Sequence, residues 1–482
     1  MKKQVYNPYL PLFEYVPDGE PHVFNGRVYV YGSHDQYGAF NFCHNDYVTW
    51  SAPVDDLKSW RYEGIILKRT EDPDNKNNKH DLYAPDVCQG PDGKFYIYYA
   101  YDWLGKTGVA VSDSPAGPFK FHGYVSFPDG VVLGTRKKDS FQFDPGVLVD
   151  DDGRVYLYSG FGMWKFFPMI PKGKTPDGGW VMELDKDMKT IINGPVKVFE
   201  KRTCASKEWE GHEFFEASSI RKVGKKYYFV YSSAEGHELC YATSDSPMGP
   251  FKFGGTIISN GDVGLNGRPK EKACYPLGNN HGGMVNANGK WYIFYHRHTN
   301  WTNTDRQGMA EEIKIEEDGS IKQVEMTSCG LNGGPLEGIG VYPASICCCL
   351  IPKEGNIFYP FFKLPLTAAT KTYITQFGKD SDTVETQYVK NIKQGCLIGY
   401  KYFNLENTNS VTLSLQGWSQ GKIGIRYTEE GEDVDVVEFK HKSGNRGFKV
   451  ELPINRHSCK SGLYLNFKEL KGKLDFYNFE LK

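Results

Sequence analysis

Apolar and polar positions alternate in short runs along the N-terminal part of the chain, and each run opens on a glycine turn. Gly26-Arg27-Val28-Tyr29-Val30-Tyr31 is followed by runs of the same kind starting at Gly93, Gly153, Gly224 and Gly289. Phe95 to Ala100, Val155 to Tyr158, Tyr227 to Tyr231 and Trp291 to Tyr295 are rich in aromatic and β-branched residues and bounded by Asp-Gly, Asn-Gly or Gly-Lys pairs, which predicts strands. The pattern returns after roughly 60 to 70 residues, the signature of a propeller built from similar blades. No long amphipathic helix is predicted.

A second repeat supports the first. Ser112-Asp113-Ser114-Pro115-Ala116-Gly117-Pro118-Phe119-Lys120-Phe121 returns as Ser244-Asp245-Ser246-Pro247-Met248-Gly249-Pro250-Phe251-Lys252-Phe253. The turn-rich composition predicts the loop leading into an outer blade strand. Beyond the fifth run the pattern stops. Residues 311–355, with Leu331-Asn332-Gly333-Gly334-Pro335 and the triplet Cys347-Cys348-Cys349, read as a closing segment and linker. Regularly spaced strands follow at Gly395 to Phe403, Ser410 to Gln416, Lys422 to Tyr427, Phe448 to Leu452, Gly462 to Phe467 and Lys473 to Leu481, which predicts a β-sandwich. The expected architecture is therefore all-β: a five-bladed β-propeller over 1–310, the linker, and a β-sandwich domain over 356–482.

The blade repeat also carries a polar residue in phase. About seven to nine residues before the glycines stand Asp18, Asp86, Asp144, Glu216 and His281, so superposing the blades brings them to one place. Carboxylates crowded in a funnel raise one another's pKa and cost stability unless a partner or a function compensates. Two carboxyl groups on opposite sides of a sugar are the usual minimum for cleaving a glycosidic bond, and a third negative charge helps the acid hold its proton.

Composition narrows the partners. With 57 Lys plus Arg against 59 Asp plus Glu, the net charge of −2 gives no electrostatic reason to expect nucleic acid or an anionic membrane. The 15% aromatic content suits a surface that stacks on sugar faces, although β-rich chains are aromatic for packing reasons too. Eleven cysteines, an odd number, point to reduced thiols, and none has zinc spacing. The N-terminus shows no signal-peptide run, and the expectation for the chain as given is a cytoplasmic protein.

At these residues the chain resembles glycoside hydrolase family 43, whose catalytic domain is a five-bladed propeller. The run Phe143-Asp144-Pro145-Gly146-Val147 is similar to the third-blade Asp-Pro motif, Pro17-Asp18-Gly19-Glu20-Pro21 to the first-blade motif, and Glu213-Phe214-Phe215-Glu216-Ala217 stands at the fourth-blade position. The resemblance implies Asp18 as general base, Asp144 as pKa modulator and Glu216 as general acid, with inversion. Tyr83-Ala84-Pro85-Asp86 is similar to a motif that shapes the pocket, and Asp86 is expected either to bond a sugar hydroxyl or to cap backbone amides.

His281 matches a histidine that in relatives reaches a hydrated cation, often calcium. It is expected either to do so or to be a buried hydrogen-bonder. Arg297 is similar to a substrate-contacting arginine, and Trp103 and Phe161, with Trp164, Trp209 and Trp301, stand where loops reach the funnel rim. The C-terminal strands resemble family 6 carbohydrate-binding modules.

The expected function is an exo-acting, inverting hydrolase that releases terminal α-L-arabinofuranosyl or β-D-xylosyl residues from oligosaccharides derived from arabinoxylan or xylan. No cofactor is expected for the chemistry. The rival expectations are an endo-arabinanase or endo-xylanase, and a non-catalytic sugar-binding propeller.

Overall fold

The computed structural model describes residues 4–482 except 138, 163–175, 202–205, 362, 364, 381–382, 384–385 and 445. Each repeat glycine sits in the reversal between the first and second strands of a blade. Gly26, Gly93, Gly153, Gly224 and Gly289 have φ of +73°, +83°, +80°, +61° and +81°, the left-handed region that glycine adopts without steric cost. That requirement is why the repeat is readable in sequence.

Blade one consists of Glu20–Phe24, Arg27–Tyr31, Tyr47–Pro53 and Arg61–Leu67. Blade two is Leu82–Gln89, Phe95–Tyr101, Thr107–Ser112 and Lys120–Tyr124. Blade three is Gly146–Val149, Val155–Phe161, Gly178–Leu184 and Ile191–Glu200. Blade four is Phe214–Val223, Lys226–Ser233, Glu238–Ser244 and Lys252–Ser259. Blade five has three strands, Met284–Ala287, Lys290–His298 and Arg306–Ile313. Within each blade the strands pair in chain order.

The N-terminal segment closes the ring against blade five. The Asn7 side chain pairs with a strand residue as a backbone would: Nδ2 donates to the Ala310 carbonyl at 3.0 Å and Oδ1 accepts from the Ala310 amide at 3.1 Å.

The core of the propeller lies between blades. Tyr29, Tyr31 and Ile66 of blade one pack with Val87, Phe95 and Ile97 of blade two, and Tyr156, Tyr158 and Val181 of blade three with Phe229, Tyr231 and Phe251 of blade four. Burying a Val, Ile or Phe side chain contributes about 1.5–3 kcal/mol, so strands whose two faces are both covered carry apolar residues on both. The second repeat has a matching role. Its two turns lead into the outer strands of blades two and four, where the Pro115 carbonyl accepts from Tyr31 Oη at 2.7 Å and the Pro247 carbonyl from Tyr158 Oη at 2.5 Å. Each turn thus ties its blade to the one before it.

The C-terminal part is a sandwich of two six-stranded sheets. One contains Leu397–Asn404, Ser419–Arg426, Asp435–His441 and Ser461–Gly472, and the other Tyr373–Gln376, Gln387–Lys390, Ser410–Gln416, Gly447–Pro453 and Asp475–Leu481. The expected linker over 311–355 requires correction. Leu336–Glu337 and Cys349–Ile351 join the first sheet, and Gly340–Pro343 joins the second. These strands are two to four residues long and pair with partners far along the chain, so no local periodicity marks them. The cysteine triplet is buried between propeller and sandwich, in a core that runs from Tyr228 and Ile257 to Leu413 and Phe479. All described cysteines are free. Among the described residues, no helix is long and apolar enough to cross a membrane.

Candidate active site

The chain enters the first strand of every blade at the same end of the ring, and the phased polar residues stand at or just before that strand. Asp18, Asp144 and Glu216 line one cavity of about 190 Å3, together with His281, Trp103 and Phe161. Tyr83, Phe143 and Phe215 add to its aromatic wall, and Asn279, Asn303, Arg306, Phe42 and Phe361 complete the lining. Phe161 packs on Phe143 and Phe215 with ring centroids 5.2 Å and 5.0 Å apart. The backbone is strained at this spot: Asp18, Asp144 and Ala217 have φ of +56°, +45° and +69°. Such conformations cost about 1–3 kcal/mol each and concentrate at functional sites.

Asp18 Oδ1 accepts from Arg306 Nη1 at 2.8 Å, and the Asp18 amide donates to His296 Nδ1 at 3.3 Å. His296 Nε2 donates in turn to the Asn279 carbonyl at 2.8 Å, which fixes the neutral tautomer. Burial, then the Arg306 charge, holds its pKa well below the usual value. Asp144 Oδ2 accepts from the Ala217 amide at 3.0 Å, next to Glu216, and lies 3.5 Å from His281 Nδ1. Burial, followed by the charges of Asp144 and Asp18, raises the Glu216 pKa well above the ordinary carboxylate value. The surroundings of Glu216 thus favour its protonated form, whereas Asp18 is ion-paired with Arg306, an asymmetry of the kind that acid and base roles need.

A pH experiment checks this arrangement. A group that must be protonated to act loses activity as pH rises through its pKa, so Glu216 acting as the acid would set the alkaline limb of kcat/KM. Asp144→Asn removes a negative charge that raises that pKa and is expected to move the limb to lower pH. An unmoved limb in a folded, active variant would show that Asp144 does not act on the acid.

Behind the cavity the channel is lined by paired charges. Glu20 Oε2 accepts from Ser219 Oγ and from Arg221 Nη2, both at 2.9 Å. A Cβ on Gly283 would stand 2.3 Å from that oxygen, so a glycine there makes room for Glu20. Glu20 Oε1 and His281 Nε2 are buried, have no hydrogen-bond partner among the described residues, and face each other at 3.9 Å. Burial, against the pull of Arg221, pushes the Glu20 pKa up to about 7. Burial would lower that of His281, but Asp144, Asp18 and Glu20 outweigh it and push it up to about 9. The gap is too long for a hydrogen bond and short enough for one ion or water to touch both atoms. With the His281 proton displaced, Nε2 and Glu20 Oε1 would fit a cation whose remaining positions are filled by water.

The structure separates several expected residues from the cavity. Asp86 is fully buried, with Oδ1 accepting from the Val87 amide at 2.8 Å and His22 Nε2 at 2.6 Å, and Oδ2 from the Val147 amide at 2.7 Å. It ties blade two to blade three and does not line the cavity, whereas Tyr83 of the same motif does. Arg297 is also fully buried. It donates to the Ser345 carbonyl at 2.7 Å and to Gln307 Oε1 at 3.0 Å, between blade five and the sandwich. The expected substrate contact at Arg297 is thereby corrected. The cavity arginine is Arg306, which sequence reasoning missed because it belongs to the third strand of its blade and not to the phased position. Trp209 packs on Phe199 and Phe253, and Trp301 is buried against Tyr359. Trp164 lies outside the described residues.

The chain is similar to several known proteins. The family model described as glycosyl hydrolases family 43 matches residues 10–321. A xylosidase/arabinosidase from Thermoclostridium stercorarium is 48% identical over 94% of this chain and 94% of its own length. A β-xylosidase from Xylanibacter ruminicola is 31% identical over 65% of this chain and 97% of its own. A crystal structure of a family 43 β-xylosidase/α-arabinofuranosidase from a compost microbial metagenome, in complex with xylotriose in a calcium-free form, is 26% identical. It has a TM-score of 0.50 over 65% of this chain and 96% of its own. A family 43 arabinoxylan arabinofuranohydrolase from Bacillus subtilis, 22% identical, matches in fold over 99% of this chain and 97% of its own, with a TM-score of 0.51. With the five blades, the carboxyl-lined cavity and a family match over more than half its length, the chain belongs to glycosyl hydrolase family 43.

Proposed function

We propose that this glycoside hydrolase is an exo-acting, inverting enzyme that removes terminal α-L-arabinofuranosyl or β-D-xylosyl residues from oligosaccharides derived from arabinoxylan or xylan. The observation that carries the reading is the meeting of Asp18, ion-paired to Arg306, and the buried Glu216 in one small cavity. About 190 Å3 is small against the ~300–1,000 Å3 of sites for larger ligands, which suits one sugar ring. The names of the relatives support the two sugars.

Glu216 would give its proton to the leaving oxygen while Asp18, held by Arg306, takes a proton from the attacking water. The water then attacks the anomeric carbon directly, which inverts its configuration. Asp144 keeps Glu216 protonated until the bond breaks. We further propose that His281 Nε2 and Glu20 Oε1 hold a hydrated cation that displaces the proton of His281 and whose positive charge offsets the carboxylates behind the cavity.

One experiment tests both points. Nitrophenyl arabinofuranoside, nitrophenyl xyloside and linear xylotetraose are offered to the protein after chelation, with and without added calcium. Release of monosaccharide from the start, with the inverted anomer seen by NMR, is expected. Internal fragments would overturn exo action, and a retained anomer would overturn inversion. Thermal midpoints identical with and without calcium would remove the cation.

A further inference from the structure

The cavity is not built by the propeller alone. The segment between Cys349–Ile351 and Tyr373–Gln376, two strands of the sandwich, lies over the blade-five side of the cavity as a strap, and it is pinned there. The Leu277 amide donates to the Ile357 carbonyl at 3.1 Å and the Tyr359 amide to the Leu277 carbonyl at 2.8 Å. Asn303 donates from its amide to the Pro360 carbonyl at 3.0 Å and from Nδ2 to the Tyr359 carbonyl at 3.1 Å, and Thr302 Oγ1 donates to the Phe361 carbonyl at 3.3 Å. Farther along, Asp380 accepts from the Tyr37 amide at 2.6 Å and from Asn45 Nδ2 at 3.0 Å. The strap thus clamps the loop that carries Asn303 and meets Phe42 through Phe361, while Asp380, after the sandwich strand Tyr373–Gln376, holds the loop that carries Phe42.

Phe361 projects from this strap into the cavity lining. Its ring meets Phe42 edge to face, with centroids 5.5 Å apart and planes at 87°, and Phe42 in turn covers the Arg306 guanidinium at 4.9 Å. Phe361 is 51% exposed, whereas Asp18 and Asp144 are 4% and 3% exposed. The aromatic ring is therefore at the mouth and the two aspartates are at the base. In an exo pocket the residue being released occupies the base, and the rest of the oligosaccharide leaves through the mouth.

We propose that Phe361 is a specificity-determining residue that contacts the sugar on the leaving-group side of the scissile bond. A half-exposed apolar ring at that place offers a face to the C–H surface of a pyranose, a contact of the kind aromatic residues make at binding sites. The C-terminal domain is then part of the substrate site through the strap between two of its strands, whatever its own surface binds. The inference rests on the exo reading above.

The test uses full-length Glu216→Gln protein, which binds without turnover, and calorimetric titration with xylose, arabinose, xylobiose and arabinofuranosyl-xylobiose. Adding Phe361→Ala is expected to weaken the oligosaccharides about ten-fold while changing the monosaccharides less than two-fold. Phe361→Leu, which keeps bulk without a ring, is expected to behave like the Ala variant. Ile357→Ala, on the same strap, 54% exposed and outside the lining, is expected to change neither. Unchanged oligosaccharide affinity, or equal losses for monosaccharides and oligosaccharides, would overturn the role of Phe361. Failure of the exo reading has a different signature: the Glu216→Gln parent binds none of the sugars, or the wild type releases internal fragments.

Discussion

Asp18→Asn and Glu216→Gln are each expected to lower turnover of xylobiose and arabinofuranosyl-xylobiose by roughly 10²–10⁴-fold, the usual contribution of a positioned acid or base. Both substitutions keep size and hydrogen-bonding capacity, so folding is expected to persist. The two variants should separate with leaving group. A nitrophenolate departs without needing a proton, so Glu216→Gln is expected to recover much of its rate on nitrophenyl glycosides. Asp18→Asn is not, because water activation is needed whatever departs. Added azide, a nucleophile that needs no deprotonation, is expected to restore rate to Asp18→Asn alone. Equal recovery of both variants on the activated substrate would reverse or remove the assignment, and wild-type rates in either would end it.

Arg306→Ala is expected to be costly in two ways. The guanidinium is buried and donates from Nη1 to Asp18 at 2.8 Å and from Nε and Nη2 to the two oxygens of Asp35, both at 2.9 Å. Removing it leaves two buried carboxylates without their cation, and breaking a buried pair in that way costs about 3–5 kcal/mol. Turnover should fall as well, since the donor that holds Asp18 Oδ1 at 2.8 Å is lost. Arg306→Lys is expected to fail similarly in activity, because one ammonium cannot reproduce a planar fork shared by two carboxylates. Stability and activity come apart in the double variant Arg306→Ala/Asp35→Asn. Neutralising Asp35 removes one of the stranded charges and is expected to restore part of the thermal stability without restoring turnover. A single Arg306→Ala variant that melts like the wild type and turns over normally would contradict both statements.

Much of the blade architecture is legible in the chain because its causes are local. A glycine at positive φ between two strands must be glycine or a close substitute, and this demand recurs once per blade at Gly26, Gly93, Gly153, Gly224 and Gly289. The phase of Asp18, Asp144 and Glu216 against those glycines is likewise a matter of counting along one hairpin. The same counting misleads at Asp86. It shares the phase, yet its carboxylate is used up by the Val87 and Val147 amides and His22. Phase gives a residue's height in the ring, but not which way its side chain is satisfied.

The sandwich shows the same division. Its longer strands, such as Ser410–Gln416, follow from alternation, whereas Leu336–Glu337 and Gly340–Pro343 do not. Those two become strands only because Phe403 and Asn404, and Asn478 to Leu481, lie beside them. Arg297 and Arg306 illustrate the point within one hairpin. Both are buried arginines on adjacent strands of blade five, and Arg297 pairs across the strands with Gln307, the residue after Arg306. Side chains of neighbouring residues on a strand point to opposite faces. One face here meets the sandwich and the other the cavity, and sequence cannot say which is which until the second domain is in place.

By itself, then, the sequence determined the number of blades, their turns, and the phased positions of Asp18, Asp144 and Glu216 that meet in the cavity. Tertiary structure alone decided that Arg306 holds Asp18, that Glu20 and His281 face each other in the channel, and that Phe361 stands at the mouth. The physical reason is separation along the chain. Asp18 and Arg306 are 288 residues apart, and Phe361 reaches Phe42 only because the strap lies over the blade-five side of the cavity. Turns and strands are fixed by the steric and hydrogen-bonding needs of neighbouring residues, while a cavity is fixed by which distant surfaces the closed ring and its second domain bring together.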